Sequence, residues 1–257
     1  MNLHTCYLTN NDCYKAGKTI TPKGVMVHST GANNPYLKRY VQPDDGELGY
    51  NKNQNSWNRP GVSKCVHAFI GKLANGSIAT YQTLPWNHRG WHAGTGTSGK
   101  SANNTHISFE ICEDGLKDKA YFNAVYKEAV ELTAMLCKQY KLDPMADGVV
   151  ICHSEGYKRG IASGHADVMH WFPKHGKSMD TFRADVKNEM EDDDMTKNEV
   201  IKIIEEYEAQ KAKFPVSSWA KVSWEKAKKK GVLDGTKPRS DATREQLAVI
   251  LDRLGLL

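Results

Sequence analysis

The side chains best equipped for chemistry gather in one stretch. It runs from Ile151-Cys152-His153-Ser154-Glu155-Gly156 through Gly160-Ile161-Ala162-Ser163-Gly164 to His165-Ala166-Asp167. Imidazole nitrogen and carboxylate oxygen are donors that zinc takes from proteins. Val149-Val150-Ile151-Cys152 has the apolar character of a short buried strand, which puts His153 at a strand end. The Gly- and Ser-bearing segment after it reads as loop rather than helix. His165 and Asp167 stand two apart, and in extended backbone such residues face the same way, so both can look into one site. A catalytic zinc site needs three protein ligands and an open position for water, so a further donor must come from elsewhere in the chain.

Val25-Met26-Val27-His28 repeats the pattern: an apolar run, a histidine, then the small-residue turn Ser29-Thr30-Gly31. A lone histidine of this kind is usually structural, whereas two in one setting point to a shared ligand. Thr105 to Cys112 alternates as a strand does, with Ile107, Phe109 and Ile111 on one face and His106, Ser108 and Glu110 on the other. An acid in the middle of an apolar strand is either an ion-pair partner or a working base, and a metal-activated water nearby favours the base. His67, inside the strand-like run Lys64 to Gly71, reads as a packed histidine.

Trp86-Asn87-His88-Arg89-Gly90-Trp91-His92-Ala93-Gly94 opens a flexible stretch that runs on to Asn104. Tryptophans on such a loop need covering and suit stacking on sugars, which makes Trp91, His92 and Asn104 candidate substrate contacts. His92 as a fourth metal ligand would close the site. Trp57, with Tyr50 and Asn58, lies on the polar segment from Asn33 to Pro60, which Pro35, Pro43, Gly46 and Gly49 punctuate. A segment of that length is either a groove wall or an insertion.

The positioning elements follow. Lys64 to Gly71 and Ser77 to Gln82 form a hairpin signal around Ala74-Asn75-Gly76. Tyr121 to Tyr140 carries Val125, Ala129, Leu132, Met135 and Leu136 at helical spacing, and a helix from about Met179 to Met190 closes the domain at residue 190. Glu191-Asp192-Asp193-Asp194 marks a boundary. Residues 191–213 read as a linker helix, with Thr196 and Glu199 spaced as a capping box. Residues 214–257 hold two helices, Ser218 to Lys230 and Thr243 to Leu254, the second with Thr243 and Gln246 as a capping box. So small a module is marginal alone and is expected to pack on the linker helix or on a second copy of itself.

Composition narrows the classes. The chain has 257 residues and a net charge of +5, concentrated around Lys226, Lys228, Lys229 and Lys230. That suits an anionic polymer such as a bacterial wall and is too little to argue for nucleic acid. No run reaches membrane-spanning length and no secretory signal is read at the start, so cytoplasmic synthesis without membrane insertion is expected. The six cysteines form no Cys-x-x-Cys pair and read as buried thiols, with Cys6 and Cys13 left as a pair that could bridge.

With these residues in view, positions 1–190 resemble the zinc-dependent N-acetylmuramoyl-L-alanine amidases related to phage T7 lysozyme and peptidoglycan recognition proteins, in their phage or prophage endolysin form. The likeness rests on Val27-His28-Ser29-Thr30-Gly31, Val62-Ser63 with Val66-His67-Ala68, Trp91-His92-Ala93-Gly94, Ile107-Ser108-Phe109-Glu110 and His153-Ser154-Glu155. It implies an α/β fold, a central mixed β-sheet flanked by helices, with Zn2+ at one end of the sheet. The family's histidine ligands fall on His28 and His153, its third ligand on Asp167 and its catalytic glutamate on Glu110. Where the family often has a lysine, two residues before the third ligand, this chain has His165, as oxyanion stabiliser or as the ligand itself. A family tyrosine is replaced by Val66, which puts more weight on Glu110 and His165.

Residues 214–257 resemble a single S-layer homology module, through Phe214, Trp219, Trp224, Gly231-Val232-Leu233-Asp234-Gly235 and Thr243-Arg244-Glu245-Gln246. Such modules imply attachment to secondary wall polymers, usually as sets of three, and self-association would restore that multivalency. The expected activity is an endolysin's cleavage of the amide between N-acetylmuramic acid and L-alanine in peptidoglycan, after release to the wall. The rivals are a non-catalytic peptidoglycan receptor and a stem-peptide endopeptidase on the same fold.

Overall fold

The computed structural model describes residues 1–41, 46–192 and 197–257. The expected reading of Pro43 as loop punctuation, and of Thr196 as a helix cap, lies outside the described residues. The chain divides into two compact units, Met1–Asp193 and Asp194–Leu257.

The first unit is built on a six-stranded mixed sheet flanked by helices. In chain order the strands are β1 (Leu3–Thr5), β2 (Gly24–Asn33), β3 (Ala68–Lys72), β4 (Ile78–Gln82), β5 (His106–Glu113) and β6 (Val150–Cys152), and across the sheet they run β1-β4-β3-β5-β2-β6. Only the β3–β4 hairpin is antiparallel; β1–β4, β3–β5, β5–β2 and β2–β6 are parallel.

Alternation along the central strands sorts residues to two faces. Val25, Val27, Ile107, Phe109 and Ile111 pack with α2 (Lys119–Tyr140) and α4 (Met179–Asp192) through Phe122, Val125, Ala129, Leu132, Phe182 and Val186. Asp118 caps α2, its Oδ1 accepting from the N–H groups of Ala120 and Tyr121 at 2.9 and 3.0 Å. The opposite phase carries Met26 and His28 on β2 and Ser108 and Glu110 on β5. This second face of the sheet carries the polar residues of interest.

The segment from Asn33 to Pro60 is more than a polar wall. Leu37, Tyr40, Val41 and Leu48 drive it into a second core cluster with Leu8, Phe69 and Tyr81. None of the six cysteines is in a disulfide, so Cys6 and Cys13 do not bridge.

In the second unit, α5 (Lys197–Lys211), α6 (Lys221–Lys229) and α7 (Arg244–Arg253) are joined by turns. Thr243 and Gln246 cap α7 reciprocally, at 2.9 and 3.2 Å. Among the described residues of this unit only Val232 is buried, at 8 % exposure, and Trp219 is 88 % exposed. No helix of the described residues is long and apolar enough to cross a membrane.

Candidate metal centre

Three strand and loop positions converge. His28 is fully buried on β2, one residue beyond the last β2–β6 pair, Val27 and Cys152. It is not at the strand end that its sequence suggests, because β2 stays paired with β5 through Ser29 and Ile111. His153 follows β6 directly and opens a short helix, α3 (His153–Lys158), where the sequence reads as loop. The helix has a local cause. Glu155 reaches back to accept from the Cys152 N–H at 3.1 Å, and Arg183 of α4 clamps that carboxylate through contacts of 3.1–3.2 Å. The same guanidinium donates to the Val150 carbonyl at 2.9 Å, so strand end, helix start and α4 form one fixed corner. Asp167 arrives on the following loop, whose carbonyl accepts from the His153 N–H at 3.1 Å.

The donor atoms form a triangle. His28 Nδ1 lies 3.1 Å from Asp167 Oδ2 and 3.1 Å from His153 Nδ1, and His153 Nδ1 lies 3.4 Å from the same Oδ2. Tetrahedral zinc with bonds of 2.0–2.1 Å separates its ligand atoms by about 3.3–3.4 Å, so these three atoms fit one face of such a tetrahedron. Two unprotonated imidazole nitrogens and a carboxylate oxygen held this close repel one another unless a proton or a cation lies among them. Among the described residues, His28, His153 and Asp167 form a group able to hold a metal ion.

Protonation states agree with that use. Burial lowers the pKa of His28 against the opposing pull of Asp167, keeping the ring neutral and able to coordinate. Burial would raise the Asp167 carboxyl, but its hydrogen bonds to His153 and His28 outweigh this and hold it far below the usual carboxylate range.

Glu110 stands beside His28 in the β2–β5 register and beside Phe69 in the β3–β5 register. Its Oε2 is buried with no hydrogen-bond partner among the described residues. Burial, then the charges of Asp167 and Glu113, push this carboxyl well above its ordinary pKa. A buried carboxylate oxygen without a partner is costly and calls for an explanation.

His165 does not enter the triangle. Its Nδ1 lies 3.2 Å from His153 Nε2, on the far edge of that ring, and 3.2 Å from Ser163 Oγ. His165 and Asp167 therefore share a neighbour but meet it from opposite sides. His165 is exposed.

His92 places Nδ1 3.0 Å from His28 Nε2, and its own Nε2 is buried without a partner among the described residues. Trp91 is 40 % exposed under the Arg89 guanidinium, 5.1 Å from the ring centre, and Arg89 donates to Asn104 Oδ1 at 2.6 Å. Trp91 and Arg89 line an open cavity of about 380 Å³ with Asp12, Cys13, Ala16, Lys18 and Ser63, none of them a metal-donor candidate. Trp57 is half-buried and packs edge-on to Phe69 at 5.0 Å, with Lys64 4.9 Å above its ring. His67 is a packed histidine: its Nδ1 accepts from the Ser108 N–H at 3.0 Å, so Nε2 donates to the His88 carbonyl at 2.7 Å.

The residues that support the donors were not singled out in the sequence. For Glu155 a signal existed, an acid three residues after a strand end. Ser163, Asn103 and Arg183 gave none.

On the mixed sheet, a two-histidine, one-aspartate group able to hold a metal ion thus lies beside the half-buried Glu110. Residues 18–174 match the Amidase_2 profile, described as N-acetylmuramoyl-L-alanine amidase, and the chain belongs to that family. Among solved structures, a point mutant of PlyL is 18 % identical with a TM-score of 0.50, covering 73 % of this chain and 99 % of that one. The catalytic domain of XlyA is 22 % identical with a TM-score of 0.49, covering 72 % and 99 %. The Staphylococcus aureus hydrolase AmiA, in complex with its ligand, is 22 % identical with a TM-score of 0.48, covering 74 % and 82 %. Curated protein sequences give no match.

Proposed function

We propose that the chain is an endolysin that hydrolyses the amide joining the lactyl group of N-acetylmuramic acid to the L-alanine of the stem peptide. The observation that carries this reading is the ligand triangle of His28, His153 and Asp167 next to the unpartnered Glu110. Family membership supplies the substrate class.

In this reading His28, His153 and Asp167 hold Zn2+. Bound there, the ion supplies Lewis acidity at the scissile carbonyl and lowers the pKa of water from 15.7 toward about 7. Glu110 accepts the proton of the attacking water as the new C–O bond forms. It returns that proton to the departing nitrogen as the C–N bond breaks, leaving a lactyl carboxylic acid, which then ionises, and a free alanine amine. His165, exposed and anchored through Nδ1, is free to offer Nε2–H to the developing oxyanion, a donor worth about 3 kcal/mol in comparable sites. Trp57, Trp91 and Asn104 are assigned to sugar or peptide contact.

The second unit is proposed as a wall-anchoring module of S-layer homology type, acting through secondary wall polymer or by self-association. Its apolar surface, with Trp219 exposed, supports an external partner.

Purified wall digested with and without chelator tests the function. Mass spectrometry should find free lactyl-muramic ends and intact stem peptides, lost on chelation and restored by zinc. Shortened peptides would assign the cut to the stem, and intact wall in every arm would leave a receptor.

A further inference from the structure

We propose that His92 is a positioning residue that fixes the ring orientation and proton placement of the metal ligand His28; this rests on the metal-centre reading above. His28 turns Nδ1 into the ligand triangle, 3.1 Å from both other donors. A neutral imidazole coordinating through Nδ1 must carry its proton on Nε2. Among the described residues that Nε2–H has one hydrogen-bond partner, His92 Nδ1 at 3.0 Å, so Nδ1 of His92 must be the acceptor and its proton must sit on Nε2.

The arrangement is built rather than incidental. Asn103, fully buried, accepts from the N–H groups of His92 and Ala93 at 2.8 and 2.9 Å through a single Oδ1. Its Nδ2 donates to the Gly94 carbonyl at 3.0 Å. Gly90, just before the turn, sits where an added Cβ would lie 2.8 Å from the Cys65 carbonyl and 3.3 Å from the His92 ring. The Trp91–Cys65 bridge, with N–H···O distances of 2.9 and 3.1 Å, ties the other end of the turn down. The ring of His92 is thus pressed against His28 by its own backbone, and its buried Nε2 leaves it no second partner among the described residues. A ligand's outer hydrogen bond commonly goes to a carboxylate or a carbonyl; here a neutral imidazole takes that place.

The test uses the full chain and zinc(II) titrated against a chromophoric chelator. His92→Phe keeps the ring volume without an acceptor and should weaken zinc binding about 10–100-fold. His92→Gln, which returns an acceptor oxygen, should recover most of that loss. In zinc-loaded wild type, nitrogen-15 NMR of the histidine side chains should show His28 protonated at Nε2 and His92 protonated at Nε2. Zinc binding by His92→Phe as tight as wild type, or a His28 protonated at Nδ1 in the loaded protein, overturns the assignment. If His92→Phe does not fold, the wild-type spectrum decides alone. A wild type that binds no zinc sinks the metal-centre reading as well, whereas tight wild-type binding with an indifferent His92→Phe sinks only this one.

Discussion

The two histidines of the centre live in opposite surroundings. His28 is fully buried within β2, paired with Glu110 of β5 just past the last β2–β6 pair, with the His92 imidazole behind it. His153 opens a helix beside a loop, and its Nε2 meets two alternatives, Ser163 Oγ at 3.3 Å and His165 Nδ1 at 3.2 Å, the latter on an exposed residue. Among the described residues the outer nitrogen of His28 has one partner, and that of His153 has two, one of them exposed. A hydrolytic site requires two conditions. The donors must be aligned before substrate arrives, which the strand side supplies without reorganisation. In the proposed hydrolysis one face must also admit water and a polymer, and the exposed His165 lies on the loop side.

The largest effect should come from breaking the strand side. His28→Ala removes a ligand, and both zinc affinity and wall hydrolysis should fall below measurement. Glu110→Gln should separate binding from chemistry: zinc retained at wild-type affinity, turnover reduced by about 10²–10⁴-fold. Chelator competition and release of soluble muropeptide read the two quantities. Loss of zinc in Glu110→Gln would make the glutamate part of the donor set, and full activity would remove it from the mechanism.

His67 provides the next test, as a buried histidine on the same sheet face that the centre does not use. Burial lowers its pKa to about 4, while an unfolded chain protonates histidine near 6.5. The native ring therefore refuses a proton that the unfolded chain accepts. Stability is at its full value above pH 6.5 and declines as the pH falls from 6.5 to about 4, by roughly 3 kcal/mol for this one group. Urea midpoints across that range should show this slope in wild type and its loss in His67→Gln, with or without zinc. A zinc-dependent His67 component would mean that the face is not divided as drawn.

How much of this was legible in the sequence depends on whether the signal was local. His28, Glu110 and His153 stood out because each interrupts or ends an apolar strand, and strand phase is written residue by residue. The same phase separated Ile107, Phe109 and Ile111 from Ser108 and Glu110 before any coordinates. The helix at His153 was not legible, because its cause lies in Arg183, some thirty residues on, clamping Glu155. Nor could spacing alone tell whether His165 or Asp167 enters the triangle: both can face His153, and the choice is made by which edge of that ring each approaches. The Asn33–Pro60 segment looked polar because its few apolar anchors, Leu37, Tyr40, Val41 and Leu48, have no regular period.

The smallest expected effect probes the loop side directly. Ser163 Oγ contacts His153 Nε2, His165 Nδ1 and the Ala93 carbonyl, all at 3.2–3.3 Å. Its backbone N–H also donates to that carbonyl at 2.8 Å, so Ser163→Ala leaves the loop tethered. With the hydroxyl gone, His153 Nε2–H still has His165 Nδ1 as acceptor. The net cost of one such hydrogen bond is about 1 kcal/mol, so zinc affinity should fall by no more than about fivefold. His92→Phe has no such substitute and should cost more by an order of magnitude. Equal losses in the two variants, measured in one chelator titration, would show that the two sides of the centre are equally braced, and the contrast between His28 and His153 would fall.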